Sequence, residues 1–456
     1  MNNILGYSRA LMALTLGFHM IFAALGVGVP LMISIAHFLG LKRKDPDLIR
    51  LSERWVKGFT ILFAVGTVTG TVVGFQLSLL WPHFMQLAGK AIALPLFMET
   101  FAFLVEAIFF GLYVYGKHWF KNPWVHWATS VPIAIASTVS AFAITTMNSF
   151  MNTPAGFDLV NGNMVNIRPL EAMFNPSTPI RVAHVLITAY VASAFVLAAV
   201  AAWKLLRGEK LEYHRKALRL TLVAGLLFSL VTGLTGDLSA KFLAHNQPIK
   251  LAAAEGLFHT TTMAPLTVGG FPDKVTGKLV GPRIEVPGVL SFLAWDSINK
   301  PVQGLWDFPK EVWPPLFIHM TFDLMVGAAM LMIALSAYYT WLWFRKRQSA
   351  EHPLFLGLVV ATGVYGMIAI ESGWVTAEVG RSPWILWGIM KTTQAVSDSP
   401  AIPQIFWFFV VFYTLIGIVA VSLLRWYFRK HPLIPTGGYE ADDMVHPAVQ
   451  EAFGHD

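Results

Sequence analysis

The chain has 456 residues, of which 55% are hydrophobic and only 13% charged, and its mean hydropathy is +0.58. A soluble protein carries roughly twice that charge fraction, so the composition excludes a soluble globular enzyme; repeated apolar runs of about 20 residues read as a polytopic membrane protein. The absence of cysteine excludes disulfides, thiolate metal sites, iron–sulfur clusters and thiolate-bound haem. The net charge of +7 comes mostly from lysines and arginines in loops, so it does not point to nucleic acid.

In chain order the apolar segments predict nine spans, at about 9–39, 55–80, 93–116, 125–150, 181–206, 217–236, 313–345, 353–375 and 403–428. The first apolar stretch, Leu11 to Phe38, is too long for a signal-peptide core and is read as a retained span. Most of the basic residues fall in KRKDPDLIRLSERWVK, YGKHWFKN, KLLRGEKLEYHRKALR, RKRQ and the tail RWYFRKH, all beside span ends. The loops Met151–Ile180 and Asp237–Val312 and the connection Glu378–Ile402 are sparse in basic residues. The positive-inside rule therefore places the N-terminus outside and the C-terminus in the cytoplasm, which requires an odd number of spans. The expected organisation is an all-α polytopic protein of nine transmembrane helices. It divides into helices 1–6 over 1–236, a long outer loop over 237–312, helices 7–9 over 313–430 and a cytoplasmic tail over 431–456. The outer loop is rich in Gly and Pro and reads as an ordered functional loop rather than a domain. No internal repeat is visible, which weighs against a transporter built from duplicated halves.

An ionisable group inside a span is costly and usually faces the protein interior. Glu99 and Glu106 lie in FMETFAFLVEAIFF. Seven residues is almost two helical turns, so both carboxylates share one face about 10 Å apart along the axis. They are read as a proton relay, against the plainer possibility of two carboxyls buried at a helix contact. His19, His184, Met325 and Glu378 fall in the outer half of their spans once orientation is fixed. Singly each is more simply a packing residue, but His and Met are suitable axial ligands for haem, the cofactor most compatible with this set in a chain without cysteine. His319, six residues before Met325, competes as a partner of His184. His37, His83, His118 and His126 lie near span ends and are read as interface anchors. In the outer loop, Lys250 and Glu255 flank an alanine-rich segment that can form a short helix. They are read either as an exposed charge pair or as a quinol headgroup site in which the carboxylate accepts a proton.

Taken together, SRALMALTLGFH, METFAFLVEAIFFGLY, KLAAAEG, LMVGAAM and the GRxPW element of ESGWVTAEVGRSPW resemble subunit I of the cytochrome bd quinol oxidases over essentially the whole chain. The resemblance implies that His184 and Met325 are the axial ligands of the low-spin haem b558, and that His19 and Glu378 ligate the high-spin haems b595 and d, in either order. It implies that Lys250 and Glu255 bind quinol in the outer loop, there called the Q-loop. It sets Glu99 and Glu106 on the proton route, and Arg381, Arg9 and Trp374 around the haems, where guanidinium groups suit propionates. The implied activity is quinol oxidation at the outer face and reduction of O2 to water with protons taken from the cytoplasm. The implied setting is the prokaryotic plasma membrane, with ubiquinol or menaquinol as donor, subunit II as partner and a small single-span subunit as a further candidate.

Two positions depart from the family pattern. Ser382 stands where the signature has Gln, and Asp323 stands two residues before Met325 where the pattern has Arg. They place the chain in a divergent branch of the short-loop type, in which the third haem is d or another b. Two rival readings are a haem b subunit that passes electrons from quinol without O2 chemistry, and a haem-free proton-coupled transporter.

Overall fold

The computed structural model describes residues 2–345 and 351–433. Part of the RKRQ connection and most of the expected tail, 434–456, lie outside the described residues. In chain order the helices are α1 (Asn2–Arg43), α2 (Pro46–Leu80), α3 (Pro82–Tyr115), α4 (Pro123–Ala128), α5 (Ser130–Asn152), α6 (Pro169–Met173), α7 (Thr178–Leu206), α8 (Glu212–Asn246), α9 (Pro248–Ala254), α10 (Val289–Trp295), α11 (Ile318–Phe344), α12 (Pro353–Val379), α13 (Thr392–Ala395) and α14 (Ile402–Lys430). Nine of them, among the described residues, are long and apolar enough to cross a membrane: α1, α2, α3, α5 joined to the short α4, α7, α8, α11, α12 and α14. They coincide with the nine predicted spans.

Proline at the first helical positions starts many of these helices, because its missing N–H is not needed there and its fixed φ suits the first turn. Asp45, Asn122 and His352 cap α2, α4 and α12 by accepting a backbone N–H two residues on. The bundle is organised around α1 and α7. Helix α1 packs against α2, α5, α7, α12 and α14, and α7 packs against α8 and α12. Close approach is possible because α7 buries Ala189, Ala192, Ala194, Ala198, Ala201 and Ala202, the small-residue packing expected where lipid removes the hydrophobic drive between helices. Large apolar side chains such as Phe75, Phe97, Leu234 and Phe408 are exposed on the outside of the bundle, where lipid is their solvent. At the basic ends, Lys216 bridges Asp45 and Asp47 at 2.8 Å each, and Lys117 meets Glu53 at 3.1 Å.

The structure adds what the all-α expectation omits. Three two-stranded antiparallel hairpins occur: β1 (Asp158–Val160) with β2 (Asn163–Val165), β3 (Leu266–Asp273) with β4 (Lys278–Val286), and β5 (Trp384–Leu386) with β6 (Met390–Lys391). All are in segments read as outer connections. The long outer loop is built from α9, the β3–β4 hairpin and α10. Helix α8 runs ten residues past the predicted span end at 236. On this extension Lys241 pairs with Asp237 and Asp296, at 2.8 Å and 2.7 Å, while Leu243 and Ala244 pack against Leu251 and Leu290 of the outer loop.

Candidate functional site

Glu378 sits in the last turn of α12, and several elements converge on it. Arg381 Nη2 donates to Glu378 Oε2 at 2.8 Å. Asn148, near the end of α5, donates a short hydrogen bond to Glu378 Oε1. Arg181, in the first turn of α7, donates to Asn148 Oδ1 at 3.3 Å. Lys250 reaches the same place from the outer loop: its Nζ donates to Ala377 O at 2.7 Å and lies 3.5 Å from Asn152 Oδ1. A Cβ at position 380 would stand 2.8 Å from Lys250 Cε, so the glycine that opens GRxPW is what lets the lysine in. The helix ends four residues before Pro383, and the chain turns into β5.

Of the two readings of Lys250 and Glu255, the exposed charge pair is overturned: both side chains are buried, at 3% and 4% exposure. The predicted short helix is present as α9, but the two ends of that segment serve different neighbours. Burial pushes the Lys250 ammonium well below its usual range; the Arg181 and Arg381 charges act in the same direction and Glu378 opposes them. At the other end, burial and then the charge of Asp323 push the Glu255 carboxyl up to about 8. Glu255 Oε2 has no hydrogen-bond partner.

The two histidines are held alike. His19 Nδ1 is 2.9 Å from Thr69 Oγ1, and the Thr69 hydroxyl donates to Val65 O at 2.9 Å. His184 Nδ1 is 3.0 Å from Thr235 Oγ1, whose hydroxyl donates to Thr232 O at 3.1 Å. Each threonine has spent its proton on its own helix, so the imidazole must donate from Nδ1 and keep its lone pair on Nε2. Met325 lies across from α12, its thioether against Gly373. Trp374 packs with Ala24, Val27, Ala189, Ala192 and Ile370, where α1, α7 and α12 meet. His319, the competing candidate, is fully buried, with Nδ1 2.8 Å from Ala254 O and Nε2 3.1 Å from Gly269 O. His37 and His126 are buried around Tyr113 rather than anchoring an interface, whereas His83 and His118 are exposed. Arg9 stands exposed on the first turns of α1.

Glu106 is buried on α3 and Glu99 is half-buried one heptad before it, with Ser140 and Thr100 as hydrogen-bond partners. The same face continues to Tyr113, whose hydroxyl meets His37 Nδ1 at 2.8 Å. Sequence reasoning missed Asn148, Asn152, Arg181, Thr69 and Thr235. It also missed Glu371, a half-buried carboxylate inside α12 with one unpartnered oxygen, although an ionisable residue within a span is a readable signal.

The residues present fit haem. Two imidazoles offer Nε2, a thioether and a carboxylate are available, and the buried Arg181 Nε and Arg381 Nε and Nη1 have no protein partner, as donors reserved for propionates would. Among the described residues no group of three or more His, Cys, Asp or Glu could hold a bare metal ion. The sequence pattern of the cytochrome bd terminal oxidase subunit I family matches residues 7–432. The chain belongs to that family. It is 42% identical over 431 residues (93% of this chain, 97% of the relative) to a protein of Bacillus subtilis (strain 168) provisionally named cytochrome bd menaquinol oxidase subunit I. It is 30% identical to the cytochrome bd ubiquinol oxidase subunit 1 of the same organism, over 91% of this chain and 92% of the relative. The solved structure of bd oxidase from Geobacillus thermodenitrificans superposes with a TM-score of 0.90 at 49% identity, covering 94% of this chain and 99% of that one.

As a cytochrome bd subunit I, the chain is a multi-pass protein of the prokaryotic plasma membrane and part of a respiratory terminal oxidase, a quinol:oxygen oxidoreductase. Haem cofactors, a quinol substrate and a membrane oxidase complex follow from the family. The transporter reading and the reading without O2 chemistry are both set aside by that membership.

Proposed function

We propose that quinol is oxidised in the region between α9 and the ends of α11 and α12, with Lys250 and Glu255 as the groups that receive its protons. Quinol oxidation releases two electrons and two protons, and Lys250 and Glu255 offer a buried amine and a buried carboxyl; burial lowers the first well below its usual range and raises the second to about 8, so the carboxyl, once ionised, takes a proton readily. The observation that carries this reading is the Lys250 hydrogen bond to Ala377 O, beside Glu378, which ties the quinol loop directly to a haem-ligand helix. His184 with Met325 would hold haem b558; His19 and Glu378 would hold b595 and a third haem, either d or b. Haem at these positions supplies one-electron carriage from quinol and the place of oxygen reduction.

Around those groups the chain's own work is to fix charge. Arg181 and Arg381 offer buried donors to propionates, Thr69 and Thr235 orient the imidazoles, and Asn148 with Arg381 holds both oxygens of Glu378. Protons for water formation would arrive from the cytoplasmic side along the Glu99–Glu106 face of α3 and through a second subunit, so that uptake and release on opposite faces separate charge. The relatives are named for both menaquinol and ubiquinol, and both donors belong in the assay.

Lys250→Met in the complete oxidase tests the quinol site: it should raise the quinol KM by roughly tenfold or more, as loss of a charge-assisted or buried hydrogen bond does, with the reduced haem spectrum unchanged. An unchanged KM would move quinol oxidation elsewhere. Extraction of the haems and a dithionite-reduced spectrum with carbon monoxide assign the third haem, with a far-red chlorin band marking haem d.

A further inference from the structure

Asp323, one of the two residues that depart from the family pattern, has a definite partner in this structure. Its Oδ2 accepts the backbone N–H of Gly269 at 2.6 Å. The carbonyl of the same glycine faces His319 Nε2 at 3.1 Å, so both backbone groups of one residue of β3 are held by side chains four apart on one face of α11. The β3–β4 pairing is irregular between Gly269 and Phe271, which is where the strand turns its backbone toward the helix. Gly269 has φ +86°, and a Cβ there would lie 2.9 Å from Pro282 O, so this approach needs glycine.

His319 extends the arrangement to α9. Its Nδ1 is 2.8 Å from Ala254 O, the residue that precedes Glu255. Both ring nitrogens thus face carbonyl oxygens, and the Asp323 carboxyl stands 3.6 Å from Nε2. An arginine at 323 would offer no acceptor for an N–H and could not make the bond to Gly269.

We propose that His319 and Asp323 form a latch that joins α9 and the β3–β4 hairpin to α11, and that this latch positions the quinol-binding residues of the loop. The inference rests on the quinol reading given above. Asp323 and His319 are positioning residues: neither needs to touch quinol, and their effect runs through where Glu255 and its short helix sit.

The test uses the complete oxidase with Asp323→Ala, Asp323→Asn and Lys250→Met, read by hydrogen exchange of peptides spanning 266–273 and by steady-state quinol kinetics. Asp323→Ala removes the acceptor, so exchange at the Gly269 amide should rise roughly tenfold or more, and the quinol KM should rise more than kcat falls. Asp323→Asn keeps an oxygen for the Gly269 N–H and should restore both readouts toward the parent, which a general folding defect would not permit. Unchanged exchange in Asp323→Ala would overturn the latch itself. Faster exchange with an unchanged KM, while Lys250→Met raises KM, would confine the pair to loop structure and overturn its positioning role. If Lys250→Met also leaves KM unchanged, the quinol reading has failed rather than the latch.

Discussion

The group around Glu378 and the carboxylate face of α3 are both polar constructions inside an apolar bundle, and they are built in opposite ways. Glu378 has both oxygens engaged, by Asn148 and Arg381, and the network continues through Arg181, Asn152 and Lys250 from four different elements. Glu106 is buried on α3 with no hydrogen-bond partner recorded among the described residues, and Glu99 has the hydroxyls of Ser140 and Thr100 as partners. A densely cross-linked charge is held in one place and one state, as a ligand must be. A sparsely held carboxyl can change its proton without dismantling its surroundings, as a relay must.

Breaking the first kind of site should cost the most. Glu378→Ala removes the carboxylate partner of Arg381 Nη2 along with the proposed iron ligand. Oxygen consumption should fall to background, with one high-spin haem signal missing from the purified complex. The paired substitution Glu99→Ala, Glu106→Ala should instead leave the haem spectrum intact and lower turnover by about 100-fold or more, the usual scale for a lost proton-transfer group. Turnover equal to the parent would remove α3 from the proton route.

A smaller effect is expected at the threonines. Thr235→Val keeps the shape and deletes the acceptor for His184 Nδ1, so the low-spin haem should be lost or weakened by about 10-fold, with Thr235→Ser restoring it. An unaltered midpoint potential and haem content in Thr235→Val would show that the hydroxyl does not set the imidazole.

The mildest is a change of pH profile. Glu255 is held protonated up to about pH 8, and ionises above it. If it accepts a quinol proton, quinol oxidation should rise as pH approaches 8, and Glu255→Gln should lose that rise. The sign for stability is the reverse: the raised pKa favours the folded state below the usual carboxylate range near 4.5, and that contribution is lost as pH climbs through about 8. The parent should therefore lose thermal stability relative to Glu255→Gln across that window.

Much of this was legible in the sequence because membrane spans obey simple rules. Length, apolarity and loop charge placed all nine helices, and the chemistry of His19, His184, Met325 and Glu378 as candidate donors could be read from residue type. Partners could not. Asn148 and Asn152 sit four apart at a helix end, where a sequence reader sees a cap, and only the fold brings α12 across to them. Arg181 resembles an interfacial anchor at the start of α7 until Asn148 is found beside it. The burial of Lys250 depends on Gly380, 130 residues away, and Lys241 near the end of α8 pairs with Asp296 in the loop. The role of Asp323 was visible only as a departure; its partner is a backbone group, which no side-chain pattern encodes.

The central claim is that the outer ends of these helices carry distinct haem sites, with the low-spin one defined by His184. It is tested most directly by the dithionite-reduced spectrum of His184→Ala, recorded in the complete oxidase with and without carbon monoxide. Loss of the low-spin b signal with the carbon monoxide response retained is the predicted result. A low-spin signal equal to the parent's would contradict the assignment.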